Sequence, residues 1–150
     1  MALLGESILQ LIFMNFPNGL SNRVRRHQMD ATSRQIMKAV DFMRANMHQP
    51  LTLSEVAEAT GISARSLQYG FRRFRNITPL AYLREIRLEA AQAELSSPLN
   101  KLSIKDVARK WGFMHMGHFA ARYRAAYGET PSETARLGRA AASRAYGLSK

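Results

Sequence analysis

Apolar residues recur every three or four positions through most of this chain, and no stretch alternates long enough to mark a strand. Leu4, Ile8, Leu11 and Ile12 share one face and predict a short N-terminal amphipathic helix. Asn15 to Gly19 is turn chemistry, and Arg23-Val24-Arg25-Arg26-His27 is a charged linker, so folded structure is expected to resume near Thr32-Ser33. Ile36, Ala39, Val40, Met43 and Met47 then form the inner face of a helix closing at Gln49-Pro50. Thr52 and Glu55 make a capping box for a helix that ends at Gly61. Ser63 caps the next helix, about 64–75, with Leu67, Phe71 and Phe74 inward and Arg65, Gln68, Tyr69 and Arg72 outward. Thr78 and Pro79 open a longer helix to about Leu95, and Ser96 to Asn100 breaks it. Ser103 caps Ile104 to Lys110, and Gly112 supplies a turn. A helix over about 115–126 buries Phe119, Tyr123 and one of Ala126 or Tyr127. Thr130 to Glu133 is a second capping box, opening a last short helix. Beyond Leu137, the segment 138–150 offers little to bury and is expected to fray.

The elements repeat. Val56-Ala57, Gly61, Leu67, Phe71 and Thr78-Pro79 recur as Val107-Ala108, Gly112, Phe119, Tyr123 and Thr130-Pro131, at an offset of 51 residues that becomes 52 within the second turn. Each copy reads as a short helix, a Gly-containing turn and a longer basic helix, the helix-turn-helix layout that sets a helix in the DNA major groove. The expected fold is all-α: two helix-turn-helix subdomains joined by a long linker helix, about seven helices, plus the short N-terminal one. The corresponding division is 1–29 for the N-terminal helix and linker and 30–150 for a DNA-binding domain. Within it, the first helix-turn-helix is 52–76, the linker helix 79–95 and the second helix-turn-helix 103–128.

Charge sharpens this picture. Lys and Arg number 22 against 11 Asp and Glu, a formal charge of +11 on 150 residues. That excess points to a polyanionic partner, nucleic acid first and an acidic membrane surface second. There is no Cys, so no disulfide framework and no thiolate metal site, in keeping with a reducing cytoplasm. The apolar N-terminus is interrupted by Glu6 and Gln10, lacks a basic leader, and falls short of the roughly 20 apolar residues of a membrane span.

Gly112-Phe113, Phe119 to Arg124 and Tyr127 to Ser132 resemble the signature of the AraC/XylS transcription regulators, and His115 to Ala120 with Pro131 to Thr134 resemble its XylS-like branch. The resemblance covers about residues 33–137. It implies two helix-turn-helix units on a long helix, double-stranded DNA and RNA polymerase as partners, cytoplasmic location and, for most members, activation of transcription. Larger members carry an upstream sensing and dimerisation domain. Residues 1–29 resemble the tail of such a domain more than a complete one, which leaves open a fragment of a longer regulator or a short stand-alone protein. It equally leaves open a homodimer through the N-terminal segment or through an upstream domain.

Carried over residue by residue, the resemblance places base reading at Ala64, Arg65, Gln68, Tyr69 and Arg72 in the first unit, and at His115, Met116, Gly117, His118, Ala121 and Arg122 in the second. Arg can bond guanine and Gln adenine bidentately, whereas the second set is poor in such donors and suits shape and thymine methyls. Arg73, Arg75, Arg84, Arg87 and Arg124, flanked by Arg72 and Arg122, are phosphate candidates, several of which are expected to pair with Glu85 or Glu89 instead. Trp111 and Phe113 are assigned to the core. A linker helix of about 17 residues is roughly 26 Å long, near the ~34 Å of one duplex turn. One chain can then span two successive major grooves and read an asymmetric site.

The rival readings are weaker. His115 and His118 could face one metal ion, but with no Cys and no evident carboxylate to complete a set the reading is no metal and no cofactor. No phosphate loop, Ser/His/Asp arrangement or paired carboxylates point to an enzyme. A basic amphipathic module for acidic membranes or partner proteins is the alternative function.

Overall fold

The computed structural model describes residues 19–145. Seven helices and no strand occur among them: α1 (Gly19–Asn46), α2 (Leu53–Thr60), α3 (Ala64–Arg75), α4 (Pro79–Ser96), α5 (Ile104–Lys110), α6 (Met116–Tyr127) and α7 (Pro131–Ala145). The expected helix within residues 1–13 and the end of the tail, 146–150, lie outside the described residues.

Local chemistry sets most boundaries. Thr52 Oγ1 accepts the Glu55 N–H at 3.3 Å while the Glu55 carboxylate accepts the Thr52 N–H at 2.7 Å, and Thr130 with Glu133 repeats the arrangement at 3.3 and 2.7 Å. Ser63, Thr78 and Ser103 each accept a backbone N–H three residues on. Asn76, at φ 57°, ends α3 as Gly128, at φ 75°, ends α6, the short polar side chain tolerating the left-handed region.

There are two hydrophobic cores. The first joins Ile36, Ala39, Val40 and Met43 of α1 to Val56, Ala57, Leu67, Phe71, Tyr82, Leu83 and Ile86. The second joins Leu88, Ala91 and Leu95 to Val107, Ala108, Phe119, Tyr123 and Ala135, with Trp111, Phe113, Met116 and Tyr127 half-buried against it. Helix α4 belongs to both. At about 100° per residue, its Tyr82, Leu83 and Ile86 lie roughly 170° around the axis from Leu88, Ala91 and Leu95. The apolar stripe therefore changes sides between Ile86 and Leu88. Tyr123 donates to Thr134 Oγ1 at 2.9 Å, and Thr134 donates in turn to the Glu129 carboxylate, so the buried hydroxyls of the second core are satisfied. Burial pushes the Tyr123 phenol above its usual value.

Three sequence expectations are corrected. The charged stretch 23–27 is helical: α1 starts at Gly19, because Leu20 to Asn46 contains neither Gly nor Pro and is rich in Arg, Gln, Met and Ala, which tolerate helix well. Phe74 is 38% exposed, since the periodicity that puts it on the Leu67 face cannot say that the last turn of α3 overhangs the core. The tail has more to bury than expected: α7 continues to Ala145, and Gly138 is buried against α4. A Cβ on Gly138 would stand 2.7 Å from the Ser96 carbonyl oxygen and 2.9 Å from that of Leu95. Between Ala126 and Tyr127, it is Tyr127 that packs inward.

Gly138→Ala is expected to destabilise the fold by about 1–3 kcal/mol, because the added methyl meets backbone that cannot rotate away. Urea denaturation measures this, and a midpoint equal to the parent's would contradict the close α4–α7 approach.

The capping carboxylates make stability depend on acid. Hydrogen bonds from Thr52 and Thr130 hold the Glu55 and Glu133 carboxyls below their usual value, with Arg124 and Arg136 adding to the effect at Glu133. A depressed folded-state pKa contributes stability above the unfolded value of about 4.3 and loses it as pH falls through the folded one. Glu133→Gln should therefore lower the melting temperature at neutral pH, and the gap to the parent should close as pH drops toward about 3. A gap that widens in acid would show the opposite sign.

Candidate nucleic-acid interface

Each unit mounts its second helix on its core by one face and leaves the other open. In α3, Leu67, Gly70 and Phe71 are buried, while Arg65, Gln68, Tyr69 and Arg72 are exposed and Ala64 is half-buried. Tyr69, a large aromatic, is 67% exposed. Desolvating a ring of that size yields roughly 1.5–3 kcal/mol, so leaving it in water forgoes a stabilisation that a partner can recover.

In α6, Phe119 and Tyr123 face the second core, and Gly117, His118, Ala121 and Arg122 are exposed. Met116 is half-buried against the core and presents less of itself outward than its neighbours. His115 occupies the N-cap position that Ser63 holds in the first unit, yet makes no side-chain cap bond. Its imidazole is thereby left at the open front of the helix, 5.9 Å edge-to-face from that of His118. Gly117 has nothing within 4 Å of where a Cβ would stand, so packing does not require a glycine there.

The extra residue of the second turn is Met114, 74% exposed. Together with Arg84, Arg87, His115, His118 and Arg122, it lines a groove of about 150 Å³ beside Gly112 and Phe113. The sequence reading assigned Met114 no role, although the step in offset from 51 to 52 marked its position. Arg84 and Arg87 of α4 and Arg122 of α6 are thus brought to one groove. Phe113 walls that groove while packing on Phe119 at 5.0 Å, and Trp111 donates its indole N–H to Glu94 at 2.7 Å.

The arginines divide into two groups. Arg65, Arg72, Arg73, Arg84, Arg122 and Arg124 are exposed and make no ion pair among the described residues, where the ion pairs are Arg44–Glu89 at 3.7 Å and Lys110–Glu94 at 2.7 Å. The expected pairing of phosphate candidates with Glu85 or Glu89 is not found; Glu89 is taken by Arg44, which also donates to the Tyr82 hydroxyl at 2.9 Å. Arg75 lies over the Tyr82 ring at 5.6 Å. Arg87 is half-buried, donates from Nε to the Met47 carbonyl at 2.8 Å and from Nη2 to the Gln49 carbonyl at 2.6 Å, and burial lowers its pKa from the usual value. Those two N–H groups are not free for a phosphate. Among the described residues no group of three or more His, Cys, Asp or Glu is placed to hold a metal, and no helix is long and apolar enough to cross a membrane.

Two helix-turn-helix units, each with an open polar or basic recognition face and joined by one shared helix, define a tandem DNA-binding module. A family model described as a helix-turn-helix domain matches residues 56–137. The chain is 34% identical over 138 residues to the "XylDLEGF operon transcriptional activator 2" of Pseudomonas putida, covering 91% of this chain and 88% of that protein. It is 40% identical over 100 residues to the "Probable thc operon regulatory protein" of Rhodococcus erythropolis, 65% of this chain but 30% of that relative. A crystal structure of a probable AraC family transcriptional regulator from Rhodopseudomonas palustris superposes with a TM-score of 0.67 at 32% identity, over 70% of this chain and 97% of that one. The chain belongs to the AraC/XylS family of helix-turn-helix transcription regulators.

Proposed function

We propose that this chain recognises a specific, asymmetric double-stranded DNA sequence by placing α3 and α6 in successive major grooves, and that it activates transcription from the adjoining promoter. The observation that carries this reading is the pair of open recognition faces held by a single helix, Pro79–Ser96, about 27 Å long and so near one duplex turn. Membership of the family supports it, as does the P. putida relative, whose name is that of an operon activator. RNA polymerase is the partner that activation requires, and the cytoplasm is where the two would meet on DNA.

In the first unit, Arg65 bonds guanine O6 and N7 and Gln68 bonds adenine N6 and N7, with Ala64, Tyr69 and Arg72 completing the contact. In the second unit, His115, Gly117, His118, Ala121 and Arg122 face the bases with the exposed edge of Met116. Met114 joins them as an apolar partner for a thymine methyl. Arg73, Arg75, Arg84 and Arg124 hold the phosphates.

A gel shift with a selected duplex against unrelated competitor DNA tests the reading, and sedimentation with acidic liposomes tests the membrane alternative. If about six to ten phosphates are contacted, affinity falls by about 10³–10⁵ between roughly 50 and 200 mM salt. A nearly flat salt response is incompatible with two heads in two grooves.

Arg65→Ala and Gln68→Ala should each cost roughly 1–3 kcal/mol only at the base pair they read, relaxing preference there. Arg73→Ala and Arg124→Ala should weaken all sequences alike. Binding measured across a randomised library separates the two patterns, and uniform losses from all four substitutions would refute the division between reading and anchoring residues.

A further inference from the structure

Arg87 occupies an unusual place. It lies between Ile86, which packs in the first core, and Leu88, which packs in the second, at the point where the apolar stripe of α4 changes sides. At about 100° per residue its side chain leaves the helix in the sector between the two stripes. One side of its guanidinium fork reaches the first unit, where Nε and Nη2 bond the carbonyls of Met47 and Gln49 just past the end of α1 at 2.8 and 2.6 Å. Carbonyls at a helix C-terminus lack intrahelical donors and carry partial negative charge, so a cation suits them. The other side lies against the second unit. A Cβ on Gly112 would stand 2.9 Å from Arg87 Nη1 and 3.2 Å from Cζ, so the turn of the second helix-turn-helix passes directly over the guanidinium. Gly112, at φ 81°, meets two demands at once: a left-handed turn and room for Arg87.

We infer that Arg87 is a positioning residue that fixes the angle between the two reading heads, joining the end of α1 to the second helix-turn-helix turn across the linker helix. It acts through α3 and α6 and is not a phosphate ligand. A planar fork with two committed donors holds direction as well as distance. Lysine, a single flexible ammonium, keeps the charge but not the geometry.

The test has one arm that needs no DNA and one that rests on the two-groove reading above. Because the chain contains no Cys, Glu58→Cys on α2 and Lys105→Cys on α5, both exposed, can carry a pair of spin labels. In this labelled background, Arg87→Lys and Arg87→Met are expected to broaden the inter-label distance distribution while circular dichroism stays helical. Unchanged distributions in both variants would overturn the inference. In the unlabelled protein, both variants should bind a duplex carrying both half-sites at least about tenfold more weakly, because the second head no longer finds its groove at high effective concentration. Binding to a duplex with one half-site, and the slope of affinity against salt, should stay as in the parent. If Arg87→Lys binds like the parent while Arg87→Met lowers the salt slope by about one, Arg87 is a phosphate contact and the inference fails. If the parent itself shows no preference for any duplex, the DNA reading fails while the distance measurement still decides the role of Arg87.

Discussion

One helix is asked to belong to two cores. Tyr82, Leu83 and Ile86 on one side of α4, and Leu88, Ala91 and Leu95 on nearly the opposite side, are all buried, so neither unit completes its interior without the same rod. An α-helix resists twist and bending over five turns because each residue is tied to the next turn by a backbone hydrogen bond. Packing both units on it turns two small helical clusters, each marginal for its size, into a body whose parts share a frame. The positions of α3 and α6 are then constrained by which positions along α4 are apolar.

The two units solve the same local problems with different residues. The first caps its recognition helix with Ser63, whose hydroxyl accepts the Ser66 N–H at 3.1 Å. The second forgoes that bond at His115, a cost of about 1 kcal/mol for a lost cap, and gains an exposed imidazole where the first unit has a committed hydroxyl. The second core is richer in aromatic pairs, Phe119 lying 5.6 Å from Tyr123 and Tyr123 4.8 Å from Tyr127. It also has the Tyr123–Thr134–Glu129 chain and the close seat of Gly138 on the end of α4.

The positive charge is likewise divided by geometry. Arg44 is engaged by Glu89 and the Tyr82 hydroxyl and Arg87 by the carbonyls of Met47 and Gln49, while Arg75 lies over the Tyr82 ring with its side chain still exposed. The exposed arginines of α3 and α6, and Arg84, are left without acidic partners among the described residues. Exposed ion pairs are worth about 0–1 kcal/mol, so the fold loses little by leaving those arginines unpaired, and a polyanion need displace no acidic side chain to reach them.

The order and type of the helices, both capping boxes and the duplicated unit were legible in the sequence, because each rests on interactions within a few residues: a hydroxyl three positions from an N–H, a stripe every three or four residues. The outward face of α3 was legible for the same reason, whereas the positions on α6 came from the family resemblance, and Met116 among them turns out half-buried against the second core. What needed the tertiary structure were the contacts between distant segments. Nothing local to Gly138 announces that the carbonyls of Leu95 and Ser96 lie under it, nothing local to Phe74 says where the core stops, and nothing local to Arg87 tells a surface arginine from one that bonds residues 38 and 40 positions away. Periodicity reports which face of a helix is apolar, but the partner of each face, and whether a charge is spent or free, is decided only when the two cores close on α4.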